Sequence, residues 1–154
     1  LPLSAAAHVD GNIHVRLSGF ERGVASAADV VGGEEIQDGK AFWQGLREQT
    51  HSFFAGDQPL WRVSVPPASA PLQFEGETLL DWGGAQRWIR TDQPADVLRR
   101  AASAAGGHAT RFRDDDRDDI FHPLPAPLLA LQQRLKTSFD PAGILNPGRM
   151  YPGL

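Results

Sequence analysis

The chain has 154 residues, no cysteine, a net charge of −4 from 15 basic and 19 acidic side chains, and no apolar run near the ~20 residues of a membrane-spanning helix. Without thiols, disulfides, thiolate catalysis, iron–sulfur clusters and cysteine zinc sites are excluded within it. The acidic balance argues against nucleic acid, which rewards concentrated lysine and arginine, and the length suits one domain with a sizeable core.

Residues 1–7 read as a small-residue lead-in. Residues 12–18 alternate Ile13, Val15 and Leu17 with His14, Arg16 and Ser18, the period of a strand. Gly19 breaks it, and residues 21–31 read as a helix ended by Gly32 and Gly33. Residues 34–37 are expected as a short strand. Asp38 suits an N-cap or turn before a helix over 40–54, where Phe42, Trp43, Leu46, Thr50, Phe53 and Phe54 fall near helical spacing. Residues 60–65 form a strand closed by Pro66 and Pro67, and residues 78–82 and 86–90 form a hairpin around Gly83-Gly84-Ala85. A helix starts at Asp92 or Gln93 with Pro94 in its first turn and runs to about residue 105. Residues 108–113 read as a strand, 114–119 as a charged, solvated loop, and 127–139 as a last helix with Leu128, Leu131, Leu135 and Phe139 on one stripe.

The order β-α-β-α-β-β-β-α-β-α, with a hairpin inside it, predicts an α+β layer: an antiparallel sheet with helices packed on one face. A doubly wound nucleotide fold is disfavoured, because no G-x-G-x-x-G follows a strand and no P-loop is present. Residues 1–154 are expected as a single domain. The chain opens at Leu1 with no methionine or leader, which reads as a piece of a longer protein.

Four segments carry the candidate chemistry. On the strand Leu60-Trp61-Arg62-Val63-Ser64-Val65, Arg62 and Ser64 share one face, either to hold a carboxylate or as a solvent-facing polar stripe. In Asp81-Trp82-Gly83-Gly84-Ala85-Gln86-Arg87-Trp88, two tryptophans flank a glycine turn. They either wall a planar ligand, with Arg87 facing an anion, or anchor a hairpin in a small core. His108 opens a strand after Gly106-Gly107, as a base, a ligand contact or a structural histidine. It forms no metal-ligand spacing with His8, His14, His51 or His122, so no metal site is expected. In the tail, Asp140-Pro141 and Asn146-Pro147-Gly148 make two rigid turns in close succession. They serve either as a clasp that only packs or as a rigid mount for a polar contact by Asn146.

Taken together these segments resemble the C-terminal part of the FAD-linked E-type subunit of bacterial glycolate oxidase, within the vanillyl-alcohol-oxidase-like, or PCMH-type, flavoproteins. The run from Phe139 to Met150 (Phe-Asp-Pro-Ala-Gly-Ile-Leu-Asn-Pro-Gly-Arg-Met) looks like the closing motif of the wide group. Phe42-Trp43, Leu46-Arg47-Glu48, Trp61-Arg62-Val63-Ser64, Asp81 to Trp88 and Gly107-His108-Ala109-Thr110 look like the E-type subunit itself.

The resemblance implies a ferredoxin-like cap domain over a flavin whose FAD-binding N-terminal domain is absent from this chain. It implies an oxidoreductase acting on a small 2-hydroxy acid such as glycolate, with FAD in the full-length protein and not retained by this piece, which alone would be inactive. Carried over, Asn146 and Arg149 face the cofactor, Arg62, Trp82 and Gln86 bind substrate, and His108 and Arg87 are catalytic. The implied partners are a flavoprotein D-type subunit and an iron–sulfur F-type subunit, in the cytoplasm or held at the inner membrane through them. The alternative is a subunit-interaction or electron-transfer assembly module. The enzyme reading expects Arg62, Arg87 and His108 to converge on one face, and the module reading expects exposed apolar surface.

Overall fold

The structure, a computed structural model, describes residues 1–114 and 119–154, so the charged loop expected at 114–119 lies outside the described residues except at its two ends. The chain divides into two compact units, Leu1–Asp116 and Arg117–Leu154.

The first unit is built on a six-stranded sheet in the order β2-β1-β4-β5-β3-β6, with every neighbouring pair antiparallel. Its strands are β1 (Leu3–Val9), β2 (Asn12–Leu17), β3 (Leu60–Ser64), β4 (Glu77–Asp81), β5 (Gln86–Arg90) and β6 (His108–Arg113). Helices α1 (Glu21–Val31), α2 (Gly39–Glu48) and α3 (Ala95–Ala104) complete it. The α+β class with an antiparallel sheet is therefore as the sequence predicts.

Both faces of this sheet carry a core, because β3 and β5 are apolar on alternate positions of each face. Leu60, Leu79 and Trp88 pack with Ala7, Val9, Leu46, Phe53 and Phe54 beneath α2 and a 3-10 turn, Ser52–Phe54. Trp61, Val63, Val65 and Ile89 pack with Leu98, Ala102 and Ala109 beneath α3. Helical cover thus extends to two faces.

Three local expectations are corrected. The lead-in is a strand, β1, turned into β2 by Asp10 and Gly11 at φ 51° and 76°, the two-residue hairpin connection that Asp-Gly favours. Residues 34–37 form no strand; all four are exposed, and Ile36 has no core to face. The helix expected over 40–54 ends at Glu48. Gln49 turns left-handed at φ 58°, and its N–H bonds Gly45 and Leu46 carbonyls. The chain then re-enters a 3-10 turn whose Phe53 N–H donates to His51 Nδ1 at 3.2 Å. This break drives Phe53 and Phe54 into the core instead of along a helix face. Asp38 caps α2 as expected, accepting from Ala41 N–H at 3.0 Å.

A pH response follows from the contact between α2 and β2. His14 stacks on Phe42 at 4.3 Å between ring centres, and Phe42 meets Trp43 and His51 edge-on. Burial, then the nearby His51, lowers the His14 pKa below 6.5; Asp10 opposes this and His8 adds to it. The neutral imidazole is the form that packs. Above pH 6.5 it is neutral whether folded or unfolded, so its full contribution is present there and is lost as pH falls through the folded value. Urea midpoints should drop between about pH 7.5 and about pH 5.5, and His14→Gln should flatten that part of the profile. An equal drop in the variant would assign it to other groups.

The second unit holds α4 (Ala126–Phe139) and the closing turns. Its helix starts as expected, with Pro127 in the first turn, and stops at Asp140. Leu128, Leu131, Leu135 and Phe139 fall on its stripe and are 40%, 42%, 45% and 83% exposed.

Candidate functional site

Strand register brings part of the predicted site together. Asp81, Gln86, Ser64 and His108 lie directly opposite one another across β4, β5, β3 and β6, in one row of one face. Arg62 lies in the next row of that face, opposite Trp88 on one side and Thr110 on the other. The apolar half of this face is the core beneath α2, and the polar row lies at its end.

Arg62 is half-buried, with its guanidinium 5.8 Å from the centre of the Phe112 ring. Among the described residues it has no hydrogen-bond or ion-pair partner. A half-buried arginine of this kind, beside the hydroxyls of Ser64 and Thr110 on the same face, is suited to an incoming carboxylate. His108 is exposed at the far end of the row. Asp81 is half-buried; burial raises its carboxyl pKa, and the bond its Oδ1 accepts from Trp82 N–H at 2.8 Å partly offsets the rise.

Arg87 is not with them. It lies opposite Val63 and shares the other face with Ile89. Only 5% exposed, it donates from Nε to Gly84 O at 3.3 Å and from its two terminal nitrogens to Ala70 O at 2.9 Å and Ser69 O at 2.8 Å. Burial lowers its pKa. The convergence of Arg62, Arg87 and His108 on one face is therefore not met: β5 alternates, and Arg87 points to the loop side.

The two tryptophans part in the same way. Trp88 is 5% exposed and sits edge-on to Phe54 and Phe112 inside the core, so no pair of tryptophans walls a ligand. Trp82 is 70% exposed on the turn, with φ at 52°, unusual for a bulky residue. Gln86 is 8% exposed within the row.

In the second unit, two turns follow α4. The first spans Asp140 to Gly143 and is closed by Gly143 N–H donating to Asp140 O at 3.0 Å. The second spans Asn146 to Arg149, with Arg149 N–H on Asn146 O at 3.3 Å, Pro147 second and Gly148 third at φ 68°, a type II arrangement. The Asn146 and Arg149 side chains are exposed and, among the described residues, have no partner. An open concavity of about 410 Å³ lies between the end of α4 and these turns, lined by Lys136, Asp140, Gly143, Pro147 and Gly148 among others.

Reading the sequence for turns missed the Asp140 side chain. It is 6% exposed in a segment where residues 141–150 are all exposed. The signal was available, since an aspartate four residues after Lys136 on one helix face forms an ion pair. The described residues hold no cluster of three or more metal-ligating side chains, and no helix among them is long and apolar enough to cross a membrane.

Residues 124–150 match the family of FAD linked oxidases, C-terminal domain. Over all its 154 residues the chain is 44% identical to the glycolate oxidase subunit GlcE of Escherichia coli (strain K12). It spans 43% of that relative's length. No solved structure matches the chain. The resemblance read from the sequence is borne out: the chain is similar throughout to a glycolate oxidase subunit, and residues 124–150 are similar to the C-terminal domain of the FAD linked oxidases.

Proposed function

We propose that the chain serves as the C-terminal cap of an FAD-dependent oxidase or dehydrogenase of small 2-hydroxy acids, with glycolate as the reference substrate. The observation that carries this reading is a coincidence of match and geometry. The family match falls on residues 124–150, and there Asn146 and Arg149 stand at the two ends of one rigid turn, their side chains without partners among the described residues. An amide with two donors and an acceptor, next to a guanidinium fork, fits the alternating carbonyl and N–H edge of a flavin ring.

Bound FAD supplies the acceptor for the hydride equivalent leaving the α-carbon of the acid. The FAD pyrophosphate is held by protein outside these 154 residues. Arg62 takes the substrate carboxylate, Ser64 and Thr110 orient it, and His108 is the polar or basic group nearest the hydroxyl. Trp82 and Gln86 line the approach, and Arg87 holds the loop beneath. The protein works with a second flavoprotein subunit and an iron–sulfur subunit, in the cytoplasm or at the inner membrane through them.

A second reading, a non-catalytic module for subunit assembly or electron transfer, is favoured by the exposed stripe on α4 and by Ile144 and Leu145, which are 74% and 57% exposed. Flavin titration of residues 1–154 beside the longer protein tests the cap assignment. The expected result is visible flavin absorbance, and turnover, only in the longer protein. Tight FAD binding by residues 1–154 alone would overturn the cap reading and require a self-contained flavin site.

A further inference from the structure

We propose that Asp140, braced by Lys136, is a positioning residue that sets the direction of the Asn146 side chain; the inference rests on the reading that Asn146 contacts the flavin.

The segment after α4 has no core of its own. Residues 141–150 are all exposed, so apolar packing does not determine their path. One buried carboxylate does. Asp140 Oδ1 accepts from Ile144 N–H at 3.1 Å, and Oδ2 accepts from Leu145 N–H at 2.9 Å and from Lys136 Nζ at 2.7 Å. Lys136 Nζ also donates to the Leu145 carbonyl. The ion pair thus takes both backbone polar groups of Leu145, the residue immediately before Asn146. On the far side, the Asn146–Arg149 turn holds the Asn146 carbonyl. Asn146 itself has φ at 46°, a left-handed conformation that asparagine tolerates but does not prefer. Such a conformation persists only where neighbouring bonds over-determine it. Here they lie on both sides of the residue, so the direction in which its side chain leaves the backbone is fixed, and only rotation about the side chain's own bonds is left.

The strength of the clasp agrees with this. The Lys136 bond first, then the Leu145 and Ile144 amides and the lysine's charge, outweigh burial and hold the Asp140 pKa down to about 2, against an ordinary 3.8. A carboxylate that served only to end the helix would need one amide. This one reaches four and five residues onward.

The test uses the full-length flavoprotein with Asp140→Asn, Asn146→Ala, the double variant, and Lys136→Met as a milder lesion that leaves both amide bonds to the carboxylate. FAD affinity and the flavin absorption spectrum are read beside amide exchange at Ile144 and Leu145. Asp140→Asn should speed exchange at those two amides about tenfold and weaken FAD about tenfold, with Lys136→Met in the same direction and smaller. Asn146→Ala should weaken FAD similarly, and the double variant should be no weaker than about twofold beyond the worse single one, because both changes remove one contact. Multiplying effects would overturn the inference, since Asp140 would then act independently of Asn146. So would an unchanged exchange rate in both Asp140→Asn and Lys136→Met. If Asn146→Ala leaves affinity and spectrum untouched while Asp140→Asn still frees the two amides, the positioning stands and the assignment of Asn146 to the flavin fails.

Discussion

A Gly107→Ala chain should lose about 3 kcal/mol of folding stability, lowering its thermal midpoint by about 10 °C. Gly107 lies between α3 and β6, with its N–H on Ala102 O at 2.8 Å. A Cβ there would sit 2.0 Å from the Ser64 carbonyl oxygen, 3.0 Å from its carbon and 2.7 Å from Val65 Cγ1. The obstacle is backbone, and β3 cannot retreat because it is paired with β5 on one side and β6 on the other. Relief therefore comes from moving β6, which parts Ser64 from His108 in the polar row and lifts Ala109 from the core beneath α3.

The neighbouring glycine provides the control. Gly106 has φ at 75°, and a Cβ on it would meet nothing within 4 Å, so Gly106→Ala carries only left-handed backbone strain, about 1 kcal/mol. Urea denaturation of the two variants separates the mechanisms. Equal losses would mean that the close approach to Ser64 is not what requires glycine at 107.

What could be read from the chain depended on whether a signal was local. Strands β2, β5 and β6 and helices α1 and α4 follow from period, breakers and caps that sit within the element, and their observed bounds lie within a residue of those expected. Strand β1 does not: Ser4-Ala5-Ala6-Ala7 has little intrinsic preference for a sheet, and β2 on one side and β4 on the other recruit it. Its local clue was Asp10-Gly11, which outweighed the helix-friendly alanines. The false helical continuation to Phe54 arose because Phe53 and Phe54 fall near the spacing set by Phe42 and Leu46, although they reach the core by a separate turn. For the site, the alternation of β3 placed Arg62 and Ser64 together correctly. The partner of each charged group was not legible, because Arg87 finds its carbonyls 17 and 18 residues away along the chain.

Arg62 and Arg87 are therefore expected to fail in opposite ways when replaced. Arg87→Leu removes three hydrogen bonds from a side chain that is 5% exposed and releases the Ser69–Ala70 backbone and the Gly84 turn together. The expected cost is about 3 kcal/mol of stability. Arg87→Lys should recover little of it, since one ammonium cannot reproduce a fork aimed at three carbonyls. Arg62→Gln should change stability by no more than about 0.5–1 kcal/mol, because it gives up only a packing of charge over Phe112. If the proposed function holds, its effect should appear instead as a raised KM for the 2-hydroxy acid in the flavin-bearing protein, with the folding midpoint nearly unmoved. Denaturation curves and steady-state kinetics on both variants decide between anchor and ligand contact. An Arg87→Leu protein as stable as the parent but without turnover would return Arg87 to the chemistry and strip the loop tether of its meaning. A destabilised Arg62→Gln with unchanged KM would make the polar row a structural stripe. The two arginines thus point to opposite faces one row apart on adjacent strands, Arg87 tied to loop carbonyls and Arg62 set over Phe112 without a hydrogen-bond or ion-pair partner among the described residues.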